Sequence, residues 1–250
     1  MTCGFIPKVT AIVPVFRPPA ARLNKCLKCL LPQVDEIVVS VDLDGALPAG
    51  LIVNDKICFT LRLNGQNSYG QNANNAATKA GGDFLWFVND DFYAEPNCAK
   101  ELLDAMSLGV GVVGHLILYP DGRVCHAGKY RKPGMREWKH YLNTWHKAVV
   151  EMEVVTGTSC LVRRQAHEAI GGFDPDFQFY SEDDDYCLRL RQAGWKVVYT
   201  PFCFGVHEEA GSTTATGRRK EWENRGHELM NRKWGWWFDK NKNTIPGTFE

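Results

Sequence analysis

Phe84-Leu85-Trp86-Phe87-Val88 is an unbroken apolar run that stops on Asn89-Asp90-Asp91. No other stretch constrains the fold of this chain as tightly. A run of this kind reads as a strand buried on both faces, as in the middle of a parallel sheet. In open α/β sheets, ligands collect where the carboxyl ends of such strands emerge. Two adjacent carboxylates placed there are costly unless a cation meets them. Hard oxygen ligands at a strand end suit a magnesium- or manganese-type ion shared with a phosphate. Asn-Asp-Asp is also ordinary turn chemistry, and the stretch alone leaves both readings open.

The rest of the chain supplies the frame. Strands are expected at Val9–Val15, Glu36–Val41, Ile57–Leu63, Val154–Val162 and Trp195–Thr200, with His207 beyond the end of the last. Helices are expected at Ala20–Leu31, Tyr69–Ala80, Asn97–Met106, Arg163–Ile170, from Ser181 to Gly194, and at Glu221–Trp237. Strands alternating with helices at this spacing predict an α/β chain with a mostly parallel, doubly wound sheet and helices on both faces. Residues 1–212 read as one domain, with 213–250 as a C-terminal helix and tail packed on it. The second strand also ends on acid, Asp42-Leu43-Asp44-Gly45, which brings carboxylates from two strands to one rim. Gly128–Trp145 is basic, aromatic and weakly patterned, which suits a lid or an acceptor loop.

Gly109-Val-Gly-Val-Val-Gly114 matches the dinucleotide fingerprint letter for letter. That motif works only after a strand and at the start of a helix, where backbone amides meet the pyrophosphate. Here a helix precedes it and a strand-like His115–Tyr119 follows, so the motif is rejected.

Composition narrows the function classes. Lys+Arg and Asp+Glu are both 29, which gives no bulk charge for holding nucleic acid. The nine cysteines include one CxxC, Cys26-Leu-Lys-Cys29, inside an expected helix and without a second pair, so free thiols are expected. No signal-peptide pattern opens the chain and no apolar run approaches the ~18 residues of a membrane span. These features predict a cytoplasmic protein without a membrane span; oligomeric state is not legible.

Asp90/Asp91, Glu182/Asp183 and His207 all fall at expected element ends. Together they describe a divalent-metal site with a spare carboxylate beside it, which is an enzyme-like arrangement. In the acidic run Glu182-Asp183-Asp184-Asp185, first-turn acids favour the helix dipole, so part of the run is structural. Successive residues turn ~100° around a helix, so Asp184 and Asp185 are expected to point away from Asp183.

The order of these motifs resembles glycosyltransferase family 2, the inverting nucleotide-sugar transferases of the GT-A fold. The matching pieces are Thr10–Phe16, Val41-Asp42-Leu-Asp44-Gly45, Gly70–Asn74, Phe87–Asp91, and Gly171–Arg189 continuing through Gly194-Trp195 to Pro201 and His207. The likeness covers roughly residues 8 to 212. It implies that Pro14, Phe16 and Asp42 line a nucleobase pocket, with Asp42 preferred over Asp44 as nearer the strand. It implies that Asn74 and Asp90 lie near the nucleotide and donor sugar, and that Asp91 and His207 ligate Mn2+ or Mg2+. Asp183 would be the general base and Glu182 would face the acceptor. Asn89 stands at the first position of the D-x-D-type motif. The implied partners are a UDP- or dTDP-linked sugar donor and a glycan or glycoconjugate acceptor, as in polysaccharide biosynthesis. Two other readings compete. A sugar nucleotidyltransferase would want a Gly-rich basic N-terminal loop, which Phe16-Arg17-Pro18-Pro19 is not. A degenerate carbohydrate-binding domain would not need Asp91, Asp183 and His207 together.

Overall fold

The computed structural model describes residues 6–42, 47–62, 68–132, 134–140, 145–209 and 217–241. In chain order the elements are β1 (Val9–Val15), α1 (Ala20–Leu30), β2 (Glu36–Asp42), β3 (Ile57–Arg62), α2 (Tyr69–Ala77), β4 (Phe84–Val88), β5 (Phe92–Ala94) and α3 (Cys98–Ala105). Then follow β6 (Val110–Leu118), β7 (Val124–His126), β8 (Lys129–Tyr130), β9 (Lys139–His140), β10 (Val150–Glu151) and β11 (Ser159–Arg163). Last come α4 (Arg164–Ala169), α5 (Glu182–Gln192), β12 (Lys196–His207) and α6 (Arg219–Lys240). The main sheet runs β10-β12-β6-β11-β4-β1-β2-β3, with β5 added beside β12 and β7 beside β6.

β3, β2, β1 and β4 are mutually parallel, as are β6 and β12. β11 runs antiparallel between β4 and β6, so the sheet is mixed in its middle and parallel over most of its width. Every residue of β1 and β4 is buried, as the unbroken apolar runs require. Alternation sends their side chains to two separate cores. Val13, Val15, Trp86 and Val88 pack with Leu23 and Leu27 of α1 and Leu102 of α3. Ile12, Leu85 and Phe87 pack on the other face with Ala73 of α2, Ala166 of α4 and Tyr186 of α5. Helices therefore cover both faces, and the strand ends are left as the open rim. None of them, among the described residues, is long and apolar enough to cross a membrane.

Three strands differ from expectation, the first being β6, which starts at Val110 and not at His115. β11 begins only at Ser159; the residues before it are held by other contacts, Glu153 by Arg131 and Val155 over Gly114. β12 does not stop at Thr200. It slips register between Thr200 and Phe204, resumes pairing with β6, and ends on His207 itself. The rejected glycine motif lies along β6. A Cβ at Gly111 would meet Trp195 Cβ at 2.7 Å, and one at Gly114 would meet Val155 Cβ at 2.6 Å. These glycines make room for packing and do not cradle a phosphate. Cys26 and Cys29 are free thiols, as expected.

Candidate active site

Asn89-Asp90-Asp91 forms a turn and also faces the rim. The Asn89 N–H donates to Thr158 O at 2.9 Å, and the Phe92 N–H closes back on Asn89 O at 3.1 Å. β5 then pairs antiparallel with the end of β12, setting Phe92 opposite His207. That register carries Asp91 to the imidazole, with Oδ1 and Nε2 3.1 Å apart and both residues buried. Burial alone would push the Asp91 carboxyl up, but the hydrogen bond and charge of His207 outweigh it and hold it low. Burial likewise disfavours the imidazolium, yet Asp91 lifts His207 to about 10. Asp90 turns the other way and pairs with Arg22 of α1 at 2.7 Å. Its burial still raises the carboxyl to about 6.

The opposite wall is the start of α5. Tyr180 and Ser181 both hold left-handed backbone, with φ of 64° and 66°. Two such non-glycine residues in a row cost about 1–3 kcal/mol each, and surrounding contacts must hold them. Gly226 of α6 does so: a Cβ there would lie 2.6 Å from the Tyr180 carbonyl oxygen. Gly226→Val is expected to lower stability by about 1–3 kcal/mol and to weaken activity, because the strained turn must move. Thermal melts read beside turnover check this; an unchanged Tm would contradict it.

From this turn Asp183 enters a dense network. Its Oδ2 accepts from the Gly157 N–H at 3.0 Å and pairs with Lys129 Nζ at 3.0 Å, while its Oδ1 accepts from the Asp184 N–H at 2.9 Å. Lys129 also meets Asp184 Oδ1 at 2.6 Å. Asp184 therefore does not point away from Asp183 as helical spacing suggested; the long lysine side chain reaches both. Asp185 does turn inward. It is fully buried and bound by Arg189, Lys233 and the Trp234 indole N–H, which makes it structural. Glu182 is raised to about 8 by burial, reinforced by the charge of Asp183. Its Oε2 has no hydrogen-bond partner among the described residues.

One cavity of about 850 Å³ joins these walls, a volume suited to a nucleotide-sized ligand. Pro14, Phe16, Asp90, Asp91, Glu182, Asp183 and His207 all line it. Asn74 does not. Its amide nitrogen donates to Phe173 O at 2.8 Å and its amide oxygen accepts from the Phe173 N–H at 2.8 Å, which fixes the turn ahead of α5. Asp42 ends β2, but its side chain, like all of Asp44, lies outside the described residues. Lys129, the Gly157 peptide and α6 residues Arg219, Glu223 and His227 belong to the same cavity and carry no motif in the sequence. The 128–145 segment contributes Lys129, Trp138 and Lys139 to the wall, held by the small β8–β9 sheet and by Arg131 on Glu153.

The donor set fits a small divalent ion. Two neighbouring ligands of an octahedral Mg2+-sized ion, each bonded at ~2.1 Å, lie ~3 Å apart, close to the 3.1 Å between Asp91 Oδ1 and His207 Nε2. An ion there would take the place of the proton the imidazole now donates. A second cluster, Cys98, His115 and Cys203, has ligand atoms within 4.8 Å of one another. It does not suit a metal. One His115 nitrogen faces Leu116 O at 3.0 Å and must carry the proton, and the other lies 2.8 Å from Ser159 Oγ, which holds the Trp86 indole N–H. Both ring nitrogens are thus engaged in a packed polar network.

Residues 87–236 match the model of glycosyl transferase family group 2. The chain is 30% identical over 190 residues to N-acetylglucosaminyl-diphospho-decaprenol L-rhamnosyltransferase of Mycobacterium tuberculosis (strain ATCC 25618 / H37Rv), covering 66% of this chain and 61% of that one. It is 32% identical over 163 residues to the O-antigen biosynthesis protein RfbC of Myxococcus xanthus, covering 56% of this chain and 12% of that protein. Among solved structures, GalNAc-T7 with UDP, GalNAc and Mn2+ superposes with a TM-score of 0.72 at 14% identity, over 95% of this chain and 50% of that one. The mannosyltransferase PcManGT of Pyrobaculum calidifontis with GDP-Man and Mn2+ gives 0.58 at 14% identity, over 92% and 65%. At such identity the likeness is one of fold, and that fold is GT-A.

Proposed function

The chain belongs to glycosyl transferase family group 2, and from that premise we propose that it is an inverting, metal-dependent transferase. It moves a sugar from a UDP- or dTDP-linked donor to a hydroxyl of a glycan or glycoconjugate. The observation that carries this reading is the single cavity with Asp91 and His207 on one wall and Asp183 on the other. Pro14, Phe16 and Asp42 hold the nucleobase end, and Asp90, fixed by Arg22, lies toward the donor sugar. Asp91 and His207 would hold Mn2+ or Mg2+, the imidazole giving up the proton it donates to Asp91. Bound there, the ion would supply positive charge to the diphosphate leaving group.

Asp183 takes the proton from the acceptor hydroxyl as its oxygen attacks the anomeric carbon. The bond to the β-phosphate oxygen breaks on the opposite side, the nucleoside diphosphate leaves, and one displacement inverts the centre. Glu182, protonated near neutral pH, offers a hydrogen bond to the acceptor. Asn74 acts at one remove by holding the turn that aims α5. Residues 1–212 form the catalytic domain, and the C-terminal helix closes its acceptor side, consistent with Met230 and Trp234 packed against Leu188. The free thiols among the described cysteines suit work in the cytoplasm.

The test is a panel of nucleotide sugars followed by nucleotide release, with Mn2+, with Mg2+ and with chelator. Metal-dependent release from a UDP- or dTDP-sugar, stimulated by a glycan acceptor, is expected. Release from none of the panel, with acceptor present, would refute the reading.

A further inference from the structure

Three adjacent carboxylates, Glu182, Asp183 and Asp184, line one cavity wall, and Lys129 is the cation set between two of them. Lys129 is 6% exposed, so its charge has little water to stabilise it and depends on these partners. The reverse also holds. Two carboxylates on neighbouring residues, each left only 15% exposed, do not readily both stay ionised without a counter-charge. The Gly157 and Asp184 N–H groups both donate to Asp183, and Tyr69 Oη fixes the Gly157 peptide by donating to Gly157 O at 2.8 Å.

We propose that Lys129 is the positioning residue of this site, its one ammonium neutralising Asp184 and holding Asp183 ionised in a single orientation to receive the acceptor's proton. The assignment rests on the transferase reading for its purpose, but the charge arrangement can be measured without it. Other groups among the described residues also act on this pair. Glu182 precedes it on α5, Cys187 follows one turn later, Cys160 and Tyr69 approach from β11 and α2, and His227 approaches Asp184 from α6. Burial pushes the Asp184 carboxyl to about 6 and lifts Cys160, Cys187 and Tyr69, so these last three remain neutral at pH 7. Lys129 is raised by its two partners in spite of burial and stays charged.

The signs follow. Removing the cation raises the Asp183 carboxyl, by ~1–3 pH units for an opposite charge in direct contact. Asp184, with its carboxyl near 6, gives up its charge before an Asp183 held ionised by Lys129 does, so removing it moves Asp183 little while the lysine is present. The test titrates the Asp183 carboxyl carbon by NMR in the full-length protein and in Lys129→Met, Asp184→Asn and the double variant. The midpoint is expected to rise in Lys129→Met, stay near the wild-type value in Asp184→Asn, and rise less in the double, where no second carboxylate competes, than in Lys129→Met. Where transfer is measurable, the acidic limb of kcat/KM moves the same way, with nucleotide affinity little changed. Equal midpoints in all four proteins would overturn the proposal, as would an unmoved midpoint in Lys129→Met, which would mark Lys129 as packing alone; equal rises in Lys129→Met and the double would overturn the part given to Asp184. Should Lys129→Met not fold, the double variant, which removes the cation together with one of its carboxylates, is compared with Asp184→Asn: a higher midpoint in the double is expected, and equal midpoints would overturn the proposal. Carboxyl shifts as expected in a protein that transfers nothing would uphold the charge arrangement and refute the transferase reading.

Discussion

Asp91→Ala is expected to reduce transfer by at least ~10²–10³-fold, the usual scale for losing one stabiliser of a developing negative charge. Asp91 offers one of the two atoms, 3.1 Å apart, that fit a small divalent ion. Without it, His207 is left as a single ligand, and a single imidazole does not hold Mg2+ or Mn2+ tightly. The loss must therefore show in binding as well as in rate. Wild-type protein will bind nucleoside diphosphate far more tightly with Mn2+ than with chelator, and Asp91→Ala will bind it equally weakly in both. Calorimetry with and without the ion reads this directly. Chelator must abolish wild-type transfer, and added Mn2+ or Mg2+ must restore it. Full turnover in excess chelator would remove the metal from the mechanism.

The pair at the centre of that prediction was legible in part. Asp91 is visible because the apolar run ends on it, and an apolar run of that length can only be a buried strand. His207 is harder, since its strand is interrupted by Pro201 and the register slip after Thr200. Read by periodicity, the strand ends seven residues early and the histidine floats beyond it. The structure recovers the connection through β5, a three-residue strand too short to announce itself in sequence. Asn74 shows the opposite limit. Its residue type suits a ligand contact, but nothing local reveals that Phe173, 99 positions away, takes both ends of its amide.

Lys129 and Gly226 mark what no local pattern reveals. Lys129 lies in a basic, aromatic stretch where every lysine looks alike, and its role appears only when the chain folds it against residues 54 and 55 positions on. Gly226 reads as an ordinary weak point in a helix. Only the strained carbonyl of Tyr180 pressed against it explains why a side chain has no room there. Glycines 111 and 114 teach the converse, since a familiar spacing arose from two packing contacts on one strand.

Asp183→Asn is expected to lower turnover by ~10²–10⁴-fold, the range for losing a general base, while nucleotide diphosphate with Mn2+ still binds at near wild-type affinity. Asparagine keeps the shape, and its amide oxygen can still accept from the Gly157 N–H, which now lies 3.0 Å from Oδ2. What disappears is the group able to take a proton at the moment of attack. The neighbouring carboxylate sets the control. With its carboxyl near 8, Glu182 is neutral at pH 7, so Glu182→Gln alters its charge little and keeps a hydrogen-bond donor. Its effect is expected chiefly in the KM for acceptor, with kcat reduced far less than in Asp183→Asn. As the pH rises past 8 the wild-type Glu182 ionises and the Gln variant cannot, so their acceptor KM values diverge on that side. Steady-state kinetics across pH 6 to 9 with both variants separates the roles. A fully active Asp183→Asn beside an inactive Glu182→Gln would move the base to Glu182, because only the side chain that carries the proton away is indispensable to the displacement.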